Sequence, residues 1–387
     1  MSSTDVFYES VKIQQQFIQQ LYQVQPKKIE GLVNFISDFI FEDTSHTRVI
    51  YGIAEGRSAL SLYDFLQQSS KYENIFPATL DDPIRRYIDP ERKNMIIAAT
   101  GSGTTKSVLR YLEDSFKQSL PVILITQSTD SPAYRMVSEY ELGHIFVIEP
   151  LPGVDRKNLS ALGSEFELKL AVLLNALIPD IYRHEDSTGA SMYYHQIDHF
   201  INNARLLTNM DHVHLNEWMD KVLNRRGNYI VDGVGRSGFV AKAFGMRLTH
   251  LGRNVFMRDG PTTPSFTRGD AYIPISGSGN TREIIEGAVK AKIRGADVFP
   301  IMVNIDSKLA SLMDSWGYSK NIIYVPVSLE DISLYWEKDM SKIMAAKSVQ
   351  TRPSMSELNS YIFTNAIIAM SMDILGISER YLKRIHV

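Results

Sequence analysis

Two α/β sandwiches in tandem, each with a parallel sheet covered by helices on both faces and the pair related by a pseudo-twofold, are predicted for this chain. Three observations lead there. Short apolar runs alternate with segments whose apolar residues recur every three or four positions, as strands buried on both faces alternate with the helices that cover them. Turns rich in glycine and hydroxyl residues follow several of the runs. The same order then returns: Arg57 matches Arg236 and Ser102 matches Ser278, at separations of 179 and 176 residues, so the chain reads as an internal duplication.

Residues 1 to 40 read as two helices, the second with Ile29, Leu32, Val33, Ile36 and Ile40 on one face and Pro26 near its start. A strand from Val49 to Ile53, the turn AEGRSA and a helix with Leu60, Leu62 and Phe65 come next. The stretch NMIIAATGSGTTK, 94 to 106, supplies a second strand and turn before a helix with Val108, Leu109 and Leu112. Pro121 to Ile125 and His144 to Ile148 are further strands. Helical sequence between Ile197 and Leu223 precedes the second series. That series holds Tyr229 to Asp232, the turn GVGRSG, a helix with Phe239, Val240, Ala243, Phe244, Leu248 and Leu251, and the strand and turn AYIPISGSGNT, 271 to 281. A helix with Ile284, Ile285, Ala288 and Ile293 and the strands Val298 to Val303 and Ile322 to Val327 complete it. Each copy closes on a helix, one opening at ALGSEFEL, 161 to 168, the other at PSMSELNS, 353 to 360, with Ser164 over Ser356 and Glu165 over Glu357. The division expected is 1–190, with the N-terminal helices and the following helix, and 191–387, with the C-terminal helix.

At 387 residues there is chain enough for two cores, and 44% hydrophobic with 22% charged residues is ordinary for a globular protein. A net charge of −3 argues against a broad nucleic-acid or membrane footprint. The absence of cysteine excludes disulfides, thiolate zinc sites and cysteine nucleophiles, and with them glutamine hydrolysis by such a nucleophile. No apolar run approaches the roughly 20 residues of a membrane span, and the N-terminus lacks a basic region followed by an apolar one. A cytoplasmic enzyme or sensor is the expectation.

The turns carry the chemistry. Ser276-Gly-Ser-Gly-Asn-Thr281 offers glycines, hydroxyls and free N–H groups at a helix start, a set suited to a phosphate monoester, and Thr100-Gly-Ser-Gly-Thr-Thr105 stands at the equivalent turn. The plain alternative is a flexible turn ending in an N-cap hydroxyl. Gly233, Gly235 and Gly238 spell G-x-G-x-x-G after a strand, with Asp259 near the place of a ribose-binding acid. The first copy, AEGRSA, lacks two of the three glycines, which weighs against a dinucleotide.

GVGRSGFVAKAFGMRLTHLG and ISGSGNTREIIEGAVKAKIRGADVFPI resemble the sugar isomerase (SIS) family, in particular its 6-phospho-3-hexuloisomerases, over essentially the whole second copy. ERYLKRIHV at the end is similar to their tail. The first copy matches more loosely through GRSA, TGSGTT and GSEFE, and its leading QQLYQVQPKKI is similar to the opening of the isomerase domain of glucosamine–fructose-6-phosphate aminotransferase. The tandem arrangement resembles that domain and the bifunctional phosphoglucose/phosphomannose isomerases. The resemblance implies tandem SIS-type α/β/α sandwiches, a phosphosugar ligand, no metal or organic cofactor, and a homo-oligomer. It implies a phosphate held by Thr100, Ser102, Thr104 and Thr105, with Arg57 and Ser58 at the preceding turn and Arg236, Ser237, Ser276, Ser278 and Thr281 in the second copy.

It also implies a glutamate that moves a proton between adjacent carbons through an enediolate. The family's G-S-x-F-E string is Gly163 to Glu167 here, which makes Glu167 the base, whereas the second copy has Asn359 in that place. One competent site per chain follows. Ser164-x-x-Glu167 is equally a capping box, in which the glutamate only closes a helix end. A histidine is the expected acid or ring-opener: His250, in the family's MRLxHLG segment, or His184, at the aminotransferase-type spacing, with His195 and His386 near the ends of the copies. Arg57 and Arg236 either contact substrate oxygens or pair across the copies. Two other readings stay open, a phosphosugar sensor without catalysis and a glucosamine-6-phosphate deaminase.

Overall fold

The computed structural model describes residues 2–41, 47–69, 75–79, 92–153, 159, 164–182, 191–328, 355–378 and 381–382. Two N-terminal helices, α1 (Ser3–Leu21) and α2 (Pro26–Phe41), come before the first sheet. That sheet is built from β1 (Arg48–Ile53), α3 (Gly56–Ser69), β2 (Ile75–Thr79), β3 (Lys93–Thr100), α4 (Lys106–Lys117), β4 (Val122–Thr126), α5 (Pro132–Ser138), β5 (Gly143–Val147) and α6 (Ser164–Tyr182). The helices α7 (Ser191–Leu206) and α8 (His212–Leu223) then lead to β6 (Tyr229–Asp232), α9 (Arg236–His250), β7 (Val255–Met257) and β8 (Ala271–Ser276). The remainder is α10 (Arg282–Ile293), β9 (Asp297–Val298), β10 (Ile301–Met302), α11 (Lys308–Ser315), β11 (Ile323–Tyr324) and α12 (Met355–Leu375).

Both sheets are wholly parallel and wound alike, β2-β1-β3-β4-β5 in one and β7-β6-β8-β10-β11 in the other, with β9 also on β8. The duplication extends to single bonds. Ala133 N–H donates to Gly103 O and Leu309 N–H to Gly279 O, each at 3.1 Å, and Ser131 and Ser307 cap the helices beside those glycines. The pseudo-twofold passes between α3 and α9, which run antiparallel: Gly56 faces the end of Met246, and Gly235 faces Gln67, the same two places with the copies exchanged.

Three features depart from the sequence reading. The strand expected from Val298 to Val303 is split at Pro300, which has no N–H for the ladder. Ile75–Thr79, unpredicted because it contains Pro77, is an edge strand, where proline is tolerated. The membrane-span estimate is corrected too: Met355–Leu375 is long and apolar enough to cross a bilayer by length and composition, yet 78% of its most apolar window is buried inside the protein. A helix apolar on every side suits a position enclosed by other elements, and α12 packs on α1, α6, α7 and α9.

That enclosure gives the halves a shared core. One continuous apolar cluster joins Ile50, Ile97 and Ile125 of the first sheet to Val231, Ile273 and Ile301 of the second through α1, α6, α7 and α12. At its centre Phe363 meets Phe7 and Trp218 edge-on, with centroids 5.7 and 6.4 Å away. Phe363→Ala is expected to cost about 3–5 kcal/mol and, because both halves share this cluster, to lower a single denaturant transition. Two separate transitions, with only one displaced, would contradict the shared core.

Candidate active site

The turn after β3 is tightly built. Thr100 Oγ1 accepts from Gly103 N–H at 3.1 Å and lies 3.1 Å from Thr105 Oγ1, while Ser102 Oγ accepts from Thr104 N–H and sits 2.9 Å from Thr104 Oγ1. Gly103 has φ +66°, and a Cβ there would come within 2.0 Å of Ser131 Oγ, so no larger residue fits. Thr105 occupies the N-cap of α4, and Thr281 that of α10. Neither threonine caps its helix through its side chain, and the Thr105 hydroxyl lies against Thr100 on its turn instead. In the second copy Gly279 N–H donates to Ser276 Oγ and Asn280 N–H to Ser278 Oγ, both at 3.2 Å.

The first turn of α6 brings Glu167 close to this cradle. Phe166 packs on Gly101, where a Cβ would come within 3.1 Å of its ring, and Glu167, the next residue, turns to the start of α3. There Arg57 Nη2 lies 3.0 Å from Glu167 Oε1. Arg247 Nη2, from the other half, lies 3.7 Å from Oε2. The carboxylate thus bridges helices, and the capping-box alternative does not describe it. Burial pushes the Glu167 carboxyl up to about 7, against the downward pull of Arg57. Tyr361 of α12 is held in its phenol form by burial and by the neighbouring Glu167 charge, and Ser61 Oγ donates to the Glu167 carbonyl at 3.0 Å.

At the other end of the α3/α9 pair the second copy differs. Asn359 is fully buried and donates its amide to Asn203 O and Pro326 O at 3.0 and 2.7 Å. It is a structural tie between α12, α7 and the segment after β11. Arg236 faces a different carboxylate, Glu357, at 3.7 Å, and across the halves Asp64 of α3 at 3.9 Å. Glu357 also accepts from the hydroxyls of Ser237 and Ser356 at 3.0 and 2.9 Å. Glu165, Glu357's sequence counterpart, is engaged elsewhere, with the buried Lys169 at 2.6 Å and Leu151 N–H at 2.5 Å.

Of the other predicted residues, Ser58 is half-buried in the first turn of α3, and Ser102 and Thr104 are exposed on their turn. His250 ends α9, one turn beyond Arg247, and His195 lies on α7. His184 and His386 lie outside the described residues. Gly233 and Gly238 serve close packing of strand end on helix start, since a Cβ on either would meet backbone of the other turn within 2.8 Å. Sequence reading missed Arg247, Tyr361 and Asp64. Aligning the copies offers one clue: Arg247 stands where the first copy has Gln68.

A family model for the SIS domain matches residues 223–330. The 3-hexulose-6-phosphate isomerase of Methylomonas aminofaciens is 32% identical over 183 residues, 46% of this chain and 92% of that protein. The chain belongs to the SIS domain family. Its SIS fold extends over both halves: tagatose-6-phosphate ketose/aldose isomerase from Escherichia coli matches with a TM-score of 0.62 at 13% identity, over 97% of this chain and 95% of that one. The C-terminal domain of glucosamine-fructose-6-phosphate aminotransferase from Francisella tularensis matches with a TM-score of 0.61 at 12% identity, over 96% and 95%. At such identities the likeness is one of fold.

Two outcomes follow from the carboxamide and carboxylate. Asn359→Asp sets a charge against two carbonyl oxygens and is expected to cost about 3 kcal/mol or more in urea unfolding at pH 8; parental stability would contradict the tie. For Glu167, whose folded pKa is raised, the unfolded chain releases its proton from about pH 4.5 while the folded chain keeps it to about 7. Stability conferred at low pH is therefore lost as pH rises through that window. The melting temperature of wild type should fall relative to Glu167→Gln between those pH values and run parallel above them, whereas a constant difference would show that the carboxyl titrates normally.

Proposed function

We propose that this SIS protein isomerises a hexose or hexulose 6-phosphate, moving a proton between adjacent carbons through an enediolate. The observation that carries the reading is the placement of Glu167, a buried carboxyl with its pKa near neutrality, one residue from the contact between α6 and the Thr100 to Thr105 turn. A base for a carbon acid next to a carbonyl works best when its pKa lies near the working pH.

In this reading the hydroxyls of Thr100, Ser102, Thr104 and Thr105 and the N–H groups opening α4 hold the phosphate, with Arg57 and Ser58 beside it. Glu167 carboxylate takes the proton from the carbon next to the carbonyl. The C–H electron pair forms the new C=C bond, and the carbonyl oxygen becomes the enediolate oxygen, stabilised by donors such as Arg57, Arg247 and the Tyr361 phenol. The proton returns to the neighbouring carbon, and His250 or His184 moves protons between the oxygens or opens a ring. The relatives named as hexulose phosphate and tagatose phosphate isomerases support the class of reaction.

A second reading, a sensor that binds a phosphosugar without converting it, is favoured by the closure of Glu167 on Arg57 at 3.0 Å. A screen of fructose, glucose, mannose, glucosamine and hexulose 6-phosphates by NMR, with thermal shift, separates the two: conversion supports the isomerase, a raised melting temperature without conversion the sensor, and ammonia release a deaminase. Glu167→Gln is expected to lower turnover about 10²–10⁴-fold while the sugar phosphate still binds, and an undiminished rate would refute the base. In wild type kcat/KM should rise with pH through about 7 as Glu167 ionises. Arg57→Gln removes the positive charge that lowers this pKa, so the limb should move to higher pH; an unmoved limb would assign it to another group.

A further inference from the structure

Where α8 and α10 end and β6, β8 and β9 begin lies a wide cleft with about 1210 Å³ of empty space, part of it open to solvent. It stands at the edge of the second sheet away from the Ser276 to Thr281 turn, separated from it by the six residues of β8, a distance of about 20 Å. Four cationic side chains line the cleft, Arg225, Arg268, Lys292 and Arg294, against one carboxylate, Asp297. The chain as a whole carries a net charge of −3. We propose that this cleft binds a polyphosphate, the group shared by inorganic triphosphate and the nucleoside triphosphates.

The fold does not call for these cations. Basic residues at a helix C-terminus ordinarily complement the dipole or bond the last carbonyls. Here those carbonyls are already taken: Lys290 O, Ala291 O and Lys292 O accept from the N–H groups of Arg294, Ala296 and Gly295 at 3.1, 3.0 and 3.1 Å. In the first half, at the offset that puts Ser102 over Ser278, Phe116 and Gln118 stand where α10 and its end carry Lys292 and Arg294. The equivalent helix α4 therefore closes without them. The dipole also says nothing of Arg225 and Arg268, which come from the segments after α8 and before β8.

The cations are gathered rather than neutralised. Arg268, Lys292 and Arg294 form no ion pair with a described residue. Two of the four are held in place. Arg225 pairs with Asp297, donates its Nε to Lys221 O at 3.1 Å and lies over the Phe299 ring at 5.6 Å. Lys292 Nζ sits 3.8 Å from the centre of the Tyr318 ring, which keeps the ammonium at the cleft wall. Arg268 and Arg294 are exposed and flank them.

Like charges in a concave surface repel one another and concentrate an anion's attraction. A single phosphate satisfies only part of such a set, whereas a chain of phosphates spreads its charged oxygens over several donors. The cations lie in one cleft rather than along a stripe, which suits a compact polyanion better than a nucleic acid. Tyr318 and Ile293, the latter 76% exposed, add apolar surface beside the cations, on which a nucleoside could rest.

The test is calorimetric titration of the full-length protein at low salt and free of divalent cations, with inorganic triphosphate, ATP, inorganic phosphate and a short RNA oligonucleotide. One triphosphate per chain is expected, bound at least about tenfold more tightly than inorganic phosphate and weakened about tenfold or more by Arg268→Glu or Arg294→Glu. Lys290→Glu changes the net charge equally, at an exposed residue of α10 outside the cleft, and should weaken binding much less. Equal affinity for inorganic triphosphate and ATP assigns recognition to the phosphate chain, and tighter ATP adds a nucleoside contact; both support the site. Binding lost in Ser102→Ala or Ser278→Ala but kept in Arg268→Glu and Arg294→Glu would put the triphosphate on the hydroxyl turns and overturn the cleft. RNA bound more tightly than triphosphate, equal losses in all three charge reversals, or no binding at all would overturn it as well. None of these outcomes bears on the isomerase reading, which is tested with sugar phosphates at the other edge of the sheets.

Discussion

A buried carboxylate set between two guanidiniums governs how this molecule can work. Glu167 lies 3.0 Å from Arg57 of its own half and 3.7 Å from Arg247 of the other. None of the three is more than 7% exposed. Taking such charges out of water is expensive, and removing one partner leaves the others uncompensated. The arrangement persists because α3, α6 and α9 are fixed by the apolar cluster that crosses from sheet to sheet. Burial raises the Glu167 carboxyl and Arg57 of its own half lowers it, while the packing of the halves brings Arg247 to 3.7 Å.

The same duplication has been used in two ways. At the α3 end, the carboxylate is closed on its arginine and tuned toward neutrality. At the α9 end, Asn359 is a structural amide, while Glu357, two residues earlier, lies 3.7 Å from Arg236. Asn359 stands where the first half has Glu167, while the turns after β3 and β8 keep an equivalent hydrogen bond, Gly103 N–H to Thr100 Oγ1 and Gly279 N–H to Ser276 Oγ.

The fold was legible because duplication doubled each weak signal. A lone Ser-Gly-Ser-Gly string says little, but its recurrence after the same strand pointed to two like-built parallel sheets, whose strand order came from the structure. Strand ends were less legible: Pro300 splits one predicted strand, and Pro77 concealed an edge strand that only pairing with β1 reveals. The α12 helix was underestimated as an apolar segment, since periodicity is lost when all sides are buried. At the site, Glu167 came from a motif, whereas Arg247, Tyr361 and Asp64 come from other elements and the opposite half. Their roles depend on how helices cross, which no local pattern encodes.

The central claim is that Glu167 removes a proton from carbon. The most direct measurement is NMR of a hexose or hexulose 6-phosphate incubated with the protein in D₂O. The account predicts deuterium at the carbon next to the carbonyl with wild-type protein and none with Glu167→Gln. Equal incorporation by both would contradict it.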